Sequence, residues 1–199
     1  MTKKGYNIQI MSLNKTDNPA LLLVDIQKGI DHPGYYGTER NNPQAEDNIE
    51  TLLKFWRTNQ LPVFHIKHCS TNPDSPLFPG KSGNDFKDFI LPKDGEPIIK
   101  KNVNSAFIGT DLREQLRHLD INTVVIVGLT TEHCVSTTTR MAANYDFKTF
   151  LIEDAVAAFD KIGANGDKYS AQLVHDIEIA NLKDEFATVF KTNDFINSL

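Results

Sequence analysis

Cysteine is scarce: Cys69 and Cys134 are the only two in 199 residues. That number excludes a disulfide framework and makes a reducing, cytoplasmic setting the expectation. No apolar run approaches the roughly 20 residues that a bilayer-spanning helix needs, so no membrane partner is expected. The start, Met1-Thr2-Lys3-Lys4-Gly5-Tyr6-Asn7, is basic but lacks the apolar stretch and small-residue cleavage site of a secretory leader. Lysine and arginine form no cluster and the formal charge is −5, which argues against a nucleic-acid partner. Internal repeats and low-complexity tracts are also missing.

What is present is ordinary for a globular chain, with 40% hydrophobic and 24% charged residues. The length suits one domain with a sizeable core. We read residues 1–18 as a polar N-terminal extension and 19–199 as that domain. Within it, Thr123-Val124-Val125-Ile126-Val127 has the β-branched, continuously apolar character of a strand buried on both faces. Gly128 ends the run, Thr130 and Thr131 offer an N-cap, and a helix is expected from Cys134 to Tyr145. Other strands are expected at 20–27, 61–68, 97–101, 149–155 and 186–190. Helices are expected after Pro43 (Ile49, Leu52, Leu53 and Trp56 inward), after Thr110 (Leu112, Leu116 and Leu119 inward) and over 168–182. Strands alternating with helices predict an α/β fold whose six-stranded parallel sheet is covered on both faces. The connection over 69–96, with Phe78, Phe86 and Phe89, is long enough to be a binding loop or lid.

Three chemically active residues end strands of this sheet: Asp25, one of Lys100 and Lys101, and Cys134. Strand ends of a parallel sheet share one edge, where open α/β sheets bind ligands. At a helix N-terminus, free N–H groups and the helix dipole favour a thiolate, or can hold an oxyanion. The competing readings are that Cys134 packs as a small hydrophobe and that Asp25 merely caps a loop. A carboxylate able to take the thiol proton and an ammonium able to stabilise negative charge suit nucleophilic catalysis. His133 adjoins Cys134, but successive helical residues diverge by about 100°, so the imidazole is expected to point away from the thiol. His65 and His68 have opposite parity on their strand and cannot share one metal; His68, at the strand end, is the one placed to line the site.

In this order and spacing, Leu-Leu-Leu-Val-Asp-Ile-Gln at 21–27, Lys-x-x-x-Ser-Ala-Phe-x-Gly-Thr at 101–110 and Gly-x-x-Thr-x-x-Cys-Val at 128–135 resemble the isochorismatase-like cysteine hydrolase superfamily. The resemblance covers about 19–190. It implies a three-layer α/β/α, Rossmann-like fold, a six-stranded mainly parallel sheet, and a homo-oligomer, dimer or tetramer. It also implies Cys134 as nucleophile, Asp25 as general base and Lys101, rather than Lys100, as third member. The Thr130 and Cys134 N–H groups would form the oxyanion hole, with a cis peptide at Leu129–Thr130. The Asp-x-His pair with which nicotinamidases bind metal is replaced by Lys67-His68-Cys69-Ser70, so no metal or other cofactor is expected. True isochorismatases generally lack the cysteine. Its presence favours hydrolysis of a C–N bond in a small amide, carbamoyl or ureido substrate through a thioester. Vinyl-ether hydrolysis using Asp25, or a non-catalytic small-molecule-binding scaffold, is the alternative. Gln27, His68 and Phe107 are the expected pocket residues.

Overall fold

A computed structural model of the chain describes residues 17–199, so the expected N-terminal extension lies outside the described residues except for Asp17 and Asn18. Six strands form one sheet: β1 (Ala20–Val24), β2 (Val63–His68), β3 (Ile98–Lys101), β4 (Thr123–Leu129), β5 (Lys148–Ala157) and, after a short hairpin of β6 (Lys161–Ile162) and β7 (Lys168–Tyr169), β8 (Thr188–Phe190). Their spatial order is β3-β2-β1-β4-β5-β8, and every neighbouring pair is parallel.

Every residue of β1 and β4 is buried, as their continuous apolar runs require. Successive side chains go to opposite faces. Leu21 and Leu23 meet α1 (Ala45–Thr58) and α5 (Thr192–Asn197) through Ile49, Leu52, Trp56 and Phe195. Leu22 and Val24 meet the layer of α2 (Leu112–His118), α3 (Ser136–Asn144) and α4 (Ala171–Leu182) through Leu112, Leu116, Ala142 and Ile179. Each fully buried leucine contributes about 1.5–3 kcal/mol, so the two cores hold the sheet between its helical layers. The Trp56 indole N–H donates to the Pro19 carbonyl at 3.0 Å, which fixes α1 to the entry of β1.

Several local expectations are corrected. The helix foreseen from Lys168 begins at Ala171, because Lys168 and Tyr169 pair with β6 and the Ser170 hydroxyl caps the helix by accepting the Leu173 N–H. Leu119 is 52% exposed, since α2 has ended at His118 and Leu119 only closes it. The 69–96 connection winds into short 3-10 turns at 82–84 and 88–90. It packs on the sheet edge through buried Phe86, which bridges Gln27, and half-buried Phe89.

The strand order runs outward in opposite directions from β1 and β4. A crevice therefore opens at their carboxyl ends, where ligands bind in such sheets. Gly128 allows the close approach there: its φ is +130°, and a Cβ would lie 2.1 Å from the Val24 carbonyl oxygen.

Candidate active site

Asp25 follows β1, in a left-handed conformation with φ +51°. That region is uncommon for residues with a Cβ, although aspartate tolerates it better than most. The conformation turns the carboxylate across the sheet edge towards β3. There Lys101 and His68 are register partners on β3 and β2, and Lys101 is the inward member of an exposed-buried-exposed-buried strand. Parity thus selects Lys101 over Lys100. Its ammonium lies 2.5 Å from Asp25 Oδ2, 3.1 Å from His68 Nδ1, 3.3 Å from Cys134 Sγ and 3.2 Å from the Val103 carbonyl oxygen. Asp25 Oδ1 is buried without a hydrogen-bond partner among the described residues.

Cys134 arrives by a route different from the one the sequence suggests. Winding begins at Thr131, as a π-helical turn over Thr131–Val135 that precedes α3. Such turns recur at functional sites. Thr130 is extended, its peptide bond with Leu129 is cis, and its hydroxyl meets His133 Nδ1 at 3.1 Å instead of capping the turn. His133 is thereby held by Thr130, with no hydrogen bond to the thiol among the described residues.

The surroundings of Cys134 act against the thiolate that a helix N-terminus by itself would favour. Burial, reinforced by the Asp25 carboxylate, pushes the Cys134 thiol well above its usual range, and Lys101 only partly opposes them. Burial alone would lower the Lys101 pKa, but the charges of Asp25 and Cys134 outweigh it and the net shift is upward. His68 is shifted down by burial and then by the Lys101 charge. At neutral pH the site thus holds a protonated thiol, a charged lysine and a neutral imidazole.

The thiol and the imidazole floor a cavity of about 290 Å³ lined by Asp25, Ile30, Tyr36, His68, Leu77, Asn104, Leu129, Thr130, His133 and Cys134, with the fully buried Lys101 side chain behind that lining. Two expected lining residues lie elsewhere. Phe107 belongs to the core, stacked on Phe147 with ring centres 5.9 Å apart. Gln27 is fully buried and clamps the His68 backbone, accepting its N–H at 2.8 Å and donating to its carbonyl at 3.0 Å. Asn104, whose Oδ1 is 3.9 Å from the thiol, was not foreseen. Its position just past β3 was the available signal. Tyr36 lies in the Gly/Pro/Tyr loop at 32–37.

Asp25, His68 and Cys134 offer ligand atoms within 4.8 Å of one another. The Lys101 ammonium already hydrogen-bonds all three. It supplies a fixed positive charge among groups that could otherwise gather round a cation.

A parallel sheet with a buried carboxylate, ammonium and thiol at its switch point defines the class of α/β enzymes that work at a sheet's carboxyl edge. The chain belongs to the isochorismatase family of hydrolases: the isochorismatase domain model matches residues 19–194. It is 48% identical to the Bacillus subtilis isochorismatase family protein YrdC over 91% of this chain and 96% of that one. An isochorismatase-family structure from Chromobacterium violaceum superposes with a TM-score of 0.88 and 41% identity, covering 92% of this chain and 93% of that one. Maleamate amidohydrolase of Pseudomonas putida is 24% identical over 91% of this chain and 86% of its own. No helix among the described residues is long and apolar enough to cross a membrane.

Proposed function

We propose that the protein hydrolyses the C–N bond of a small amide, carbamoyl or ureido compound through a thioester on Cys134. The observation that carries this reading is the buried Lys101 ammonium, hydrogen-bonded to both Asp25 and Cys134, which line the cavity. Asp25 Oδ1, free of other partners, accepts the thiol proton as sulfur attacks the substrate carbonyl. The N–H groups of Thr130 and Cys134 receive the oxyanion, while Lys101 keeps the site's negative charge compensated. Asp25 returns the proton to the departing amine or ammonia as the C–N bond breaks. Water, deprotonated by Asp25, then attacks the thioester; the acid leaves and the thiol is restored. A protonated resting thiol fits this sequence, because the transferred proton starts on sulfur. The likeness to an amidohydrolase supports the choice of bond. The small cavity supports a small substrate.

The test is ammonia release from a panel of small amides and ureas, joined to acid quench and mass spectrometry. The active protein should carry an acyl group on the Cys134 peptide, and Cys134→Ala should lose both adduct and turnover. Turnover retained in Cys134→Ala overturns the thioester route and favours chemistry that needs Asp25 alone.

A further inference from the structure

Tyr35 and Tyr36 are neighbours in the loop at 32–37, and their hydroxyls meet different surroundings. The Tyr35 hydroxyl donates to Ser75 Oγ at 3.1 Å. Tyr36 instead lines the catalytic cavity with Asp25, Leu129 and Cys134. Among the described residues its hydroxyl has no hydrogen-bond partner, and Tyr36 is bonded through its backbone carbonyl. A phenol hydroxyl can both donate and accept.

The ring that carries this hydroxyl is held in place. It stacks on Phe159 with centres 5.8 Å apart and meets Tyr35 edge-on at 4.8 Å. Lys161 Nζ donates to the Tyr36 carbonyl at 2.9 Å and pairs with Glu132 Oε1 at 3.0 Å. The loop is thereby tied to the turn that carries Cys134. Just beyond, Asp160 accepts the N–H groups of Thr38 and Glu39 at 2.5 and 2.7 Å. Burial raises the phenol pKa, and Cys134 is the first of the charged groups that add to it, ahead of Tyr35, Asp25 and Glu132. The hydroxyl therefore stays protonated, within electrostatic reach of the reacting thiol. Around it the wall is apolar, because Tyr36 packs on the cluster formed by Ile30, Leu77 and Leu129. A rigid hydroxyl without a protein partner, set in an apolar wall, is a preorganised donor for a ligand oxygen.

We infer that Tyr36 is a specificity-determining residue, whose hydroxyl donates to a second oxygen on the acyl chain of a small amide and so separates oxygenated substrates from plain aliphatic ones. The acyl side is the one concerned because the departing nitrogen must face Asp25, which leaves the acyl chain to the wall of Tyr36, Ile30, Leu77 and Leu129. The inference takes the cavity beside Cys134 as the substrate site and so rests on the reading above, but it is tested by binding, which needs no turnover.

Binding is measured by calorimetry in the full chain carrying Cys134→Ala, with two isosteric pairs of probes: methoxyacetamide against butyramide, and β-methoxypropionamide against valeramide. In each pair an ether oxygen, an acceptor only, replaces a methylene, and the two pairs place it at different distances from the amide. In at least one pair the ether should bind about fivefold more tightly than its hydrocarbon partner. Adding Tyr36→Phe keeps the ring and its stacking. It should erase that preference, leave butyramide and valeramide binding unchanged, and not lower the melting temperature, since no hydrogen bond within the protein is lost. No ether preference in either pair, a preference that survives Tyr36→Phe, equal weakening of ethers and hydrocarbons, a lowered melting temperature, or failure of all four probes to bind each overturns the proposal. Failure of the amidase reading appears separately: the ether preference would be present while the unsubstituted protein releases no ammonia from any amide or urea.

Discussion

The Lys101 ammonium lies 2.5 Å from Asp25 Oδ2, with side chains 0% and 2% exposed, so each charge relies on the other in place of water. Removing one partner leaves an uncompensated buried charge, which costs about 3–5 kcal/mol. Lys101→Met should therefore lower the unfolding free energy by that order, seen as a lower urea midpoint, and abolish turnover. The double substitution Asp25→Asn with Lys101→Met should recover much of the stability and none of the activity. Stability losses that simply add in the double variant would show that the pair is not coupled.

A second ion pair gives the acid limb of stability one identifiable contributor, alongside Glu96, whose pKa is likewise held at about 2. The Glu46 carboxylate accepts from Arg40 Nη1 at 2.7 Å and Nη2 at 2.6 Å, and from Lys87 at 2.7 Å. Burial would raise its pKa, but the hydrogen bonds from Arg40 and then Lys87 outweigh it and hold the value at about 2, against an ordinary 4.5. A depressed folded-state value means that the unfolded chain takes up the proton first as pH falls. The contribution of Glu46 is therefore complete above about pH 4.5 and disappears as the pH drops towards 2. Urea midpoints should decline across that window, and Glu46→Gln should flatten the decline. An identical acid limb in both proteins would assign it to other carboxylates.

The parts of the molecule legible in the sequence are those set by burial and strand parity. Leu21-Leu22-Leu23-Val24 and Thr123–Val127 had to be central strands because both faces are apolar, and their ends delivered Asp25 and Cys134 to one edge. Loop geometry was not legible. Gln27 follows Asp25 in the same segment and looks like a pocket residue, yet it makes a bridge with Phe86 that turns its amide onto the His68 backbone. Phe107 lies beside the site in sequence, but α3 and β5 bring Tyr145 and Phe147 against it and draw it into the core. Tyr36, Leu77 and Asn104 reach the cavity from separate connections, whose placement depends on contacts distant in sequence, such as the stacking of Tyr36 on Phe159.

Gln27 carries its own prediction. Gln27→Ala leaves a buried His68 N–H without its acceptor, a loss of about 1–3 kcal/mol. Gln27→Glu keeps that acceptor but turns a carboxylate towards the His68 and Asn84 carbonyl oxygens that the amide now serves. It should be at least as destabilising as alanine. Thermal or urea unfolding measures both, and a silent Gln27→Ala would mean that Asn84 suffices to hold His68.

The Asp25–Cys134 pair makes a prediction in which reactivity and turnover move in opposite directions. Burial and the Asp25 charge hold the thiol above its usual range, and Lys101 opposes them. In Asp25→Asn the repelling charge is gone while the ammonium remains, now with sulfur among its nearest acceptors. The thiolate is favoured, and the midpoint of iodoacetamide alkylation against pH should move down. Turnover should nevertheless fall by about 10²–10⁴-fold or more, because asparagine cannot take the proton or return it to the leaving nitrogen. Lys101→Met should move the alkylation midpoint up, since the opposing charge is lost. A downward move in both variants would mean that sulfur is governed by exposure rather than by its charged neighbours, and the division of labour between base and nucleophile would then have to be redrawn.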